Sequence, residues 1–336
     1  MKFLLRRSAT TLVVLALAGT LTACVESGQG SSTDGKASDC TPSDAKEIYI
    51  SFGYDNNPIV ATLKPHSFAE AQKRGYKLTW TNDADKAETQ ASNLQALAAQ
   101  KVPAVSIFAL DTNAVTPAVE QLREACTKVV SYAGELEGTD AHIGLSLVES
   151  GRILTEGAVA WAKENGISPK VLIINNNDLA PGKLRYKGLL EGLKSDPDVD
   201  VEIVSDQKAA TDAEAASLSQ QVLQANPDIN VIVAFNDNYA LAALQAMRNL
   251  GRDTGPNAKL WVGGIDGSIQ ALEELKKNNA YRGSSAVDMK EVGSALVDIP
   301  ADVLEGKDPG TYELPYVFLP QGDPRIDQFL ANATAG

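Results

Sequence analysis

Residues 170–178 read KVLIINNND, in which four apolar residues lead directly into three asparagines and an aspartate. A continuous apolar run of this length predicts a strand that is buried on both faces, as in a parallel sheet covered by helices. In open sheets of this kind, ligands bind just beyond the carboxyl ends of the strands. The stretch therefore predicts an α/β fold and also indicates where polar binding residues belong.

The chain on both sides of this stretch repeats the same unit of a short apolar strand followed by a helix. Further strands are predicted at 47–52, 77–81, 102–108, 128–132, 199–204, 229–235 and 260–264. Apolar residues recur at helical spacing between them, and Thr211 with Glu214 forms a capping box at the start of one helix. Two such series predict two lobes, each with a parallel sheet between layers of helices.

Asparagine and aspartate recur directly after these strands. The positions are Gly53, Tyr54, Asp55 and Asn57 after the first strand, then Asn176, Asn236, Asp266 and Asp288. Short amide and carboxylate side chains offer donors and acceptors together, which suits hydroxyl groups. The alternative is that each residue only caps the helix that follows it. We predict a ligand pocket formed by these residues, and the capping alternative stays open for each position.

The first residues have the pattern of a secretion signal. Lys2, Arg6 and Arg7 precede an uncharged apolar run at 11–21, which is too short to span a bilayer. Leu21-Thr22-Ala23-Cys24 is similar to the bacterial lipobox. We therefore expect a signal peptide at 1–23, lipidation of Cys24 and a flexible tether at 24–44, which is rich in Ser, Gly, Thr and Asp. The alternative is an ordinary signal peptide with a cysteine near its cleavage site.

Two cysteines, Cys40 and Cys126, remain once Cys24 is lipidated. An even number in an oxidising compartment predicts a disulfide, and both cysteines precede strands that start at the same edge of a sheet. The alternative is a pair of unlinked thiols.

Charge and motifs exclude several classes of function. The net charge of −13 argues against nucleic acid as a partner. The chain has no nucleophile elbow, phosphate loop or cluster of metal ligands, and we interpret its two histidines, His66 and His142, as structural. We therefore expect a protein that is not an enzyme and needs no cofactor.

Four short stretches carry a family resemblance. They are DNNP at 55–58, GY at 75–76, FND at 235–237 followed by ALA at 240–242, and GIDG at 264–267. In order and spacing, the chain from 46 to about 330 resembles the type I periplasmic binding proteins, specifically the ribose-binding-like group.

The resemblance implies two Rossmann-like lobes joined by three crossings of the chain, near 145–146, 286–288 and 312–314. The N-terminal lobe would comprise 45–145 and 288–312, and the C-terminal lobe 146–287 and 313–330. It also implies that Gly53, Asn57, Asn236 and Asp266 fall on contact positions and that Lys183 falls near an arginine that grips hydroxyls.

The sequence departs from the family at several contact positions. Ile59 and Val60 stand where two aromatic residues are typical, and Tyr132-Ala133-Gly134-Glu135 replaces an Asp-Arg pair. The polar position near the second return crossing falls on Val287, beside Asp288. Tyr54 and Tyr132 are therefore our candidates for the missing aromatic platform.

The function that the resemblance implies is capture of a small polar solute, a sugar or sugar-like polyol, by hinge closure. The expected partners are the solute, an ABC permease and the lipid anchor, and the expected state is a monomer held at the outer face of the cell membrane. The alternative is a receptor that passes ligand binding to a membrane sensor kinase or chemoreceptor.

Overall fold

The computed structural model describes residues 40, 42–53, 58–178 and 180–334, which form one compact unit. The expected signal peptide, Cys24 and all of the tether before Cys40 lie outside the described residues, as do Tyr54, Asp55 and Asn57. Within the described ranges, every helix is too short or too polar to cross a bilayer.

The first lobe is built on a six-stranded sheet. Its strands are β1 (Glu47–Phe52), β2 (Lys77–Trp80), β3 (Ala104–Phe108), β4 (Lys128–Tyr132), β5 (Ala141–Leu145) and β11 (Thr311–Leu314). Their order across the sheet is β11-β5-β4-β3-β1-β2, and all neighbours are parallel. The carboxyl ends of all six strands therefore meet at one edge.

The second lobe repeats this plan. Its strands are β6 (Lys170–Asn175), β7 (Glu202–Lys208), β8 (Val231–Ala234), β9 (Trp261–Asp266), β10 (Tyr281–Ala286) and β12 (Val317–Pro320). Their order is β12-β10-β9-β8-β6-β7, and only β12 is antiparallel to its neighbour. The predicted α/β fold of two lobes with parallel sheets is confirmed.

Helices cover both faces of each sheet. In the first lobe they are α1 (Pro58–Arg74), α2 (Ala87–Gln100), α3 (Thr112–Glu124) and α9 (Met289–Leu304). In the second lobe they are α4 (Leu147–Glu164), α5 (Ala180–Gly192), α6 (Asp212–Ala225), α7 (Asp237–Asn249), α8 (Ile269–Leu275) and α10 (Ile326–Thr334). The capping box at α6 is present, since the Glu214 N–H donates to the Thr211 hydroxyl.

One apolar core runs through both lobes. It joins the α1/α9 face of the first sheet to the α4 and α5 face of the second through buried residues at the crossings, among them Leu147, Val287, Leu314 and Tyr316. The outer faces have separate cores, one under α2 and α3 and one under α6, α7, α8 and α10. The lobes are therefore packed continuously through the connection.

The chain crosses between the sheets at Ser146, at 287–288 and at 315–316. The first two crossings lie where the resemblance placed them. The third lies later than expected, because residues 311–314 pair with β5 in the first sheet. The boundary set at 312/313 was therefore wrong, and 313–314 belong to the N-terminal lobe.

Strand β7 also differs from its prediction at 199–204, because it spans Glu202–Lys208. It is an edge strand whose side chains are exposed or half-buried. An apolar run identifies strands that are buried on both faces, so it locates an exposed edge strand poorly.

A disulfide joins Cys40 to Cys126 and so fixes the start of the described chain to the end of α3. The two cysteines are 86 residues apart in sequence.

Close contact between α4 and α5 sets the position of α5. A Cβ at Gly188 would lie 1.9 Å from the Val148 carbonyl oxygen, and one at Gly151 would lie 2.2 Å from the Arg185 carbonyl oxygen. Only glycine permits this approach of one backbone to the other. The two glycines thereby place the turn of α5 that carries Arg185.

We expect Gly188→Ala to lower the free energy of unfolding by about 1–3 kcal/mol, because overpacking outweighs the ~1 kcal/mol that alanine gains in helix propensity. Urea unfolding measures the change. Lys187→Ala, at an exposed position of the same helix, is the matched control and should be close to neutral. A Gly188→Ala protein as stable as the wild type would contradict the close contact.

Candidate functional site

Arg185 is the central charged group of the second lobe. It lies on α5, and its side chain is only 9% exposed. Its guanidinium donates to Asp266 Oδ1 (2.5 Å), to the Tyr316 hydroxyl (2.9 Å) and to the Phe235 carbonyl oxygen (3.1 Å). Burial acts to lower the pKa of Arg185, but Asp266 and Tyr316 outweigh it and the pKa is raised. The cation is held permanently charged, and its Nε has no hydrogen-bond partner among the described residues.

Asp266 ends β9 in a strained conformation, with φ of 115°. Such backbone costs about 1–3 kcal/mol in a residue other than glycine and persists only where the surroundings enforce it. The Asp266 side chain is 36% exposed, so one part faces Arg185 and another remains accessible. A strained, accessible carboxylate at a strand end is typical of a binding site.

A second carboxylate, Asp237, holds the turn that follows Asp266, between β9 and α8. It is 1% exposed and accepts hydrogen bonds from the Ser268 N–H (2.7 Å), the Tyr281 hydroxyl (2.9 Å) and the Ser284 hydroxyl (2.9 Å). Burial, with the charge of Asp266 nearby, raises the pKa of Asp237 to about 7.

The asparagines that follow β6 and β8 have different roles. Asn236 caps α7, since its Oδ1 accepts from the Tyr239 N–H (2.9 Å). Asn176 is buried and donates to the Tyr239 hydroxyl at 3.5 Å. Asn177 Oδ1 is buried without a partner among the described residues. Asn236 therefore caps a helix through one of its side-chain atoms, and the run after β6 retains an acceptor without a partner among the described residues.

An aromatic layer covers the carboxyl edge of the first sheet. It consists of Phe52, Trp80, Phe108 and Tyr132, which are the last residues of β1, β2, β3 and β4. Ring centroids are 4.6 Å apart for Phe52 and Phe108, 5.5 Å for Phe108 and Tyr132, and 5.8 Å for Phe52 and Trp80. Trp80 Nε1 is buried without a partner among the described residues. The layer combines broad apolar surface with one unused donor.

Tyr132 connects this layer to the charged group of the second lobe. Burial raises its pKa, and Tyr316 and Asp266 raise it further, whereas Arg185 acts in the opposite direction. Tyr132 also lies in the same buried core as Tyr316, whose hydroxyl accepts from Arg185. The structure therefore links Tyr132 of the first lobe to the Arg185–Asp266 pair of the second lobe through Tyr316 of the third crossing.

The structure also describes three further residues of the predicted site, Gly53, Lys183 and Asp288. Gly53 is buried, and a Cβ there would lie 2.4 Å from Leu110 Cγ, so glycine is required for packing. Lys183 is exposed on α5. Asp288 caps α9 through the Lys290 N–H (2.9 Å), and both of its oxygens accept from Asn332 Nδ2. Asp288 thus fixes the second crossing to α10.

The sequence analysis missed Arg185, Phe52, Trp80 and Phe108. It examined residues that follow strands, whereas the aromatic residues end them and Arg185 lies within a helix. A search that included the last residue of each predicted strand would have found Phe52 and Phe108, but not Trp80, because the strand predicted at 77–81 ends one residue later than β2. Among the described residues, no group of His, Cys, Asp and Glu side chains is arranged to hold a metal ion.

We expect Asp266→Ala to lower the free energy of unfolding by about 3 kcal/mol, because it leaves a buried guanidinium unpaired. Arg185→Met should cost less, about 1 kcal/mol, because water can reach the remaining carboxylate. Urea unfolding of both variants and the double variant measures the coupling between the two side chains. A larger loss for Arg185→Met would contradict this account.

Comparisons with known proteins agree with this architecture. Residues 48–308 match the family model of the periplasmic binding protein domain. The ribose import binding protein of Bacillus subtilis is 27% identical over 263 residues, which cover 77% of this chain and 82% of that protein. The xylitol-binding protein of Mycolicibacterium smegmatis is 23% identical over 325 residues, which cover 94% of this chain and 89% of that protein.

Solved structures show the same fold. The Caulobacter myo-inositol binding protein, bound to myo-inositol, has a TM-score of 0.69 at 24% identity and covers 86% of this chain and 97% of its own. The periplasmic ribose ABC transporter protein of Conexibacter woesei has a TM-score of 0.73 at 20% identity and covers 87% of this chain and 97% of its own. The chain therefore belongs to the type I periplasmic binding proteins, in the ribose-binding-like group, whose members bind solutes outside the cytoplasm and are not enzymes.

Proposed function

We propose that this protein captures a sugar or sugar-like polyol between its lobes and presents it to an ABC permease. The observation that carries the proposal is that Tyr132, from the aromatic layer of the first lobe, and Tyr316, which accepts a hydrogen bond from Arg185, lie in one buried core that joins the lobes. The relatives named above, which bind ribose, xylitol and myo-inositol, support the same class of solute.

The two walls differ in their chemistry, and this difference suits a ring that carries hydroxyl groups. Aromatic faces pack against the apolar C–H face of such a ring. Asp266 can accept from hydroxyl hydrogens, while Arg185 Nε and Trp80 Nε1 have no partner among the described residues and can donate. A molecule with both an apolar face and hydroxyl groups uses both walls at once.

The mechanism we propose is hinge closure. A solute bound to one lobe favours the closed state only by the contacts that it gains from the other lobe. The three crossings are short, at Ser146, 287–288 and 315–316, and they connect two sheets that each retain their own hydrogen bonds. Bending is therefore expected at the crossings, with the sheets moving as rigid bodies.

The remaining parts of the proposal rest on the sequence and the resemblance. Tyr54, Asp55 and Asn57 would complete the first wall, and Asn176, Asn236 and Lys183 the second. Lipidated Cys24 would anchor the monomer to the cell membrane, beside the permease.

We expect one or more of D-ribose, xylitol and myo-inositol to raise the Tm of the purified protein, because a ligand that binds the folded state stabilises it. A thermal-shift series over increasing solute concentration measures the effect. Glutamate and phosphate serve as charged controls and should leave Tm unchanged. Stabilisation by these controls alone would contradict a sugar or polyol as the solute.

Asp266→Ala should weaken binding of the stabilising solute by about 1–3 kcal/mol, because it removes a buried hydrogen-bond partner. Titration calorimetry measures the affinity. Asp228→Ala is the matched control: Asp228 lies before β8, at the opposite edge of the same sheet, and pairs with Lys170. Unchanged affinity in Asp266→Ala, or an equal loss in the control, would rule out a contact at Asp266.

Solute binding should also change the fluorescence of Trp80, because the indole lies in the proposed wall. The change should be lost in Trp80→Phe and retained in Trp161→Phe, since Trp161 lies on α4 of the second lobe, where its ring contacts Arg282. A signal that persists in Trp80→Phe would place the solute elsewhere.

A further inference from the structure

We propose that Asp237 is a positioning residue, whose carboxylate holds the β9–α8 turn and thereby aims Asp266 at Arg185 and the solute. The inference rests on the proposed function, because it assigns Asp266 to the binding site. Asp237 itself is buried at the first position of α7, and it acts on Asp266 through the backbone of residues 267 and 268.

Two successive backbone N–H groups of the turn are held by this carboxylate. The Ser268 N–H donates directly to Asp237 Oδ2 (2.7 Å), and the Gly267 N–H donates to Ser284 Oγ (3.2 Å). The Ser284 hydroxyl in turn donates to Asp237 Oδ1 (2.9 Å). Both residues after Asp266 are therefore fixed, one directly and one through a serine.

These hydrogen bonds of Asp237 and Ser284, here called the clamp, would keep Asp266 in its strained backbone conformation. A φ of 115° would relax toward an extended conformation if the following residues were free. The start of α7 and β9 are also in close contact, since a Cβ on Gly264 would lie 2.6 Å from Asp237 Cα. The turn can therefore move only if Asp237 releases it.

Three hydrogen bonds from its own partners hold the Asp237 carboxylate in place. Tyr281 and Ser284 from β10 donate to one oxygen and the Ser268 N–H to the other. The charged groups nearest to it are Asp266 on β9 and, beyond Asp266, Arg185 on α5. An ionised carboxylate accepts all three hydrogen bonds, whereas a protonated one must donate from one oxygen.

This chemistry makes the clamp sensitive to pH. The pKa of Asp237 is raised to about 7 in the folded protein from the ordinary value of 3.8. Because the folded state holds the proton longer, its contribution to stability is complete below the ordinary pKa and is lost as pH rises toward 7. Near pH 7 the carboxyl of the folded protein ionises and can accept all three hydrogen bonds, so the turn becomes better fixed.

The first test needs no solute. In wild-type protein, the ¹³C signal of the Asp266 carboxyl should show an inflection near the pKa of Asp237, and Asp237→Asn should abolish it. The unfolding free energy of Asp237→Asn, relative to wild type, should increase between pH 4 and pH 7, because asparagine does not ionise. An inflection that survives in Asp237→Asn would overturn the proposal.

The second test uses the solute that stabilises wild-type protein in the thermal-shift series. At pH 8 we expect Asp237→Asn to bind it about three- to tenfold more weakly, the loss typical of one hydrogen bond. Its affinity should be constant from pH 6 to 8, while wild-type affinity increases. Parallel pH profiles for the two proteins would overturn the proposal. Absence of binding in wild-type protein would contradict the proposed function. The role of Asp237 in holding the turn would then be tested by the ¹³C signal of the Asp266 carboxyl alone.

Two further variants separate positioning from folding. Ser284→Ala removes the link to the Gly267 N–H and should weaken binding while retaining the inflection of Asp266. Glu274→Gln is the matched control, since Glu274 is a 5%-exposed carboxylate of the same lobe that accepts from Arg248, Lys277 and Asn279. It should change stability without changing the inflection in the ¹³C signal of the Asp266 carboxyl or the pH profile of affinity. A change in either would overturn the positioning role of Asp237, because loss of an unrelated buried carboxylate would then have the same effect.

Discussion

The pairing of Arg185 with Asp266 constrains much of the second lobe. A buried guanidinium must be paired and fully hydrogen-bonded, because breaking such a pair is strongly destabilising. Satisfying it requires α5 to lie close to α4, which the contact at Gly188 permits, and requires Asp266 to accept a strained backbone. The fold thus holds strain at the strand end that faces the first lobe, and the surrounding hydrogen bonds maintain it.

Sequence patterns predicted the parts of this arrangement that depend on burial and topology. Strand β6 and the placement of Asp266 at a strand end follow from apolar runs and from the geometry of parallel sheets. Arg185 did not follow, because a cation within a helix normally lies on its solvated face. Its burial results from tertiary contacts with Asp266 and Tyr316, which no local pattern encodes. The exposed edge strand β7 was misplaced for a related reason, since its register depends on its neighbour.

The departures from the family pattern become understandable in three dimensions. Ile59 and Val60 replace the usual aromatic pair, yet Phe52 and Phe108 provide rings at adjacent strand ends, 4.6 Å apart. Tyr132-Ala133-Gly134-Glu135 stands where the family has an Asp-Arg pair, and the Arg185–Asp266 ion pair lies in the other lobe. The described walls therefore divide their roles, with apolar surface from one lobe and charge from the other.

The position of Tyr316 links this site to the hinge. It lies in the third crossing, directly between β11 of the first sheet and β12 of the second, and its hydroxyl accepts from Arg185 at 2.9 Å. Burial raises the pKa of Tyr316 to about 12, so the group remains a neutral phenol at physiological pH. In the mechanism proposed above, a solute that binds Arg185 would alter the hydrogen bond to Tyr316, which lies where bending of the chain is expected. Binding and closure would then share one side chain without direct contact between the solute and the crossing.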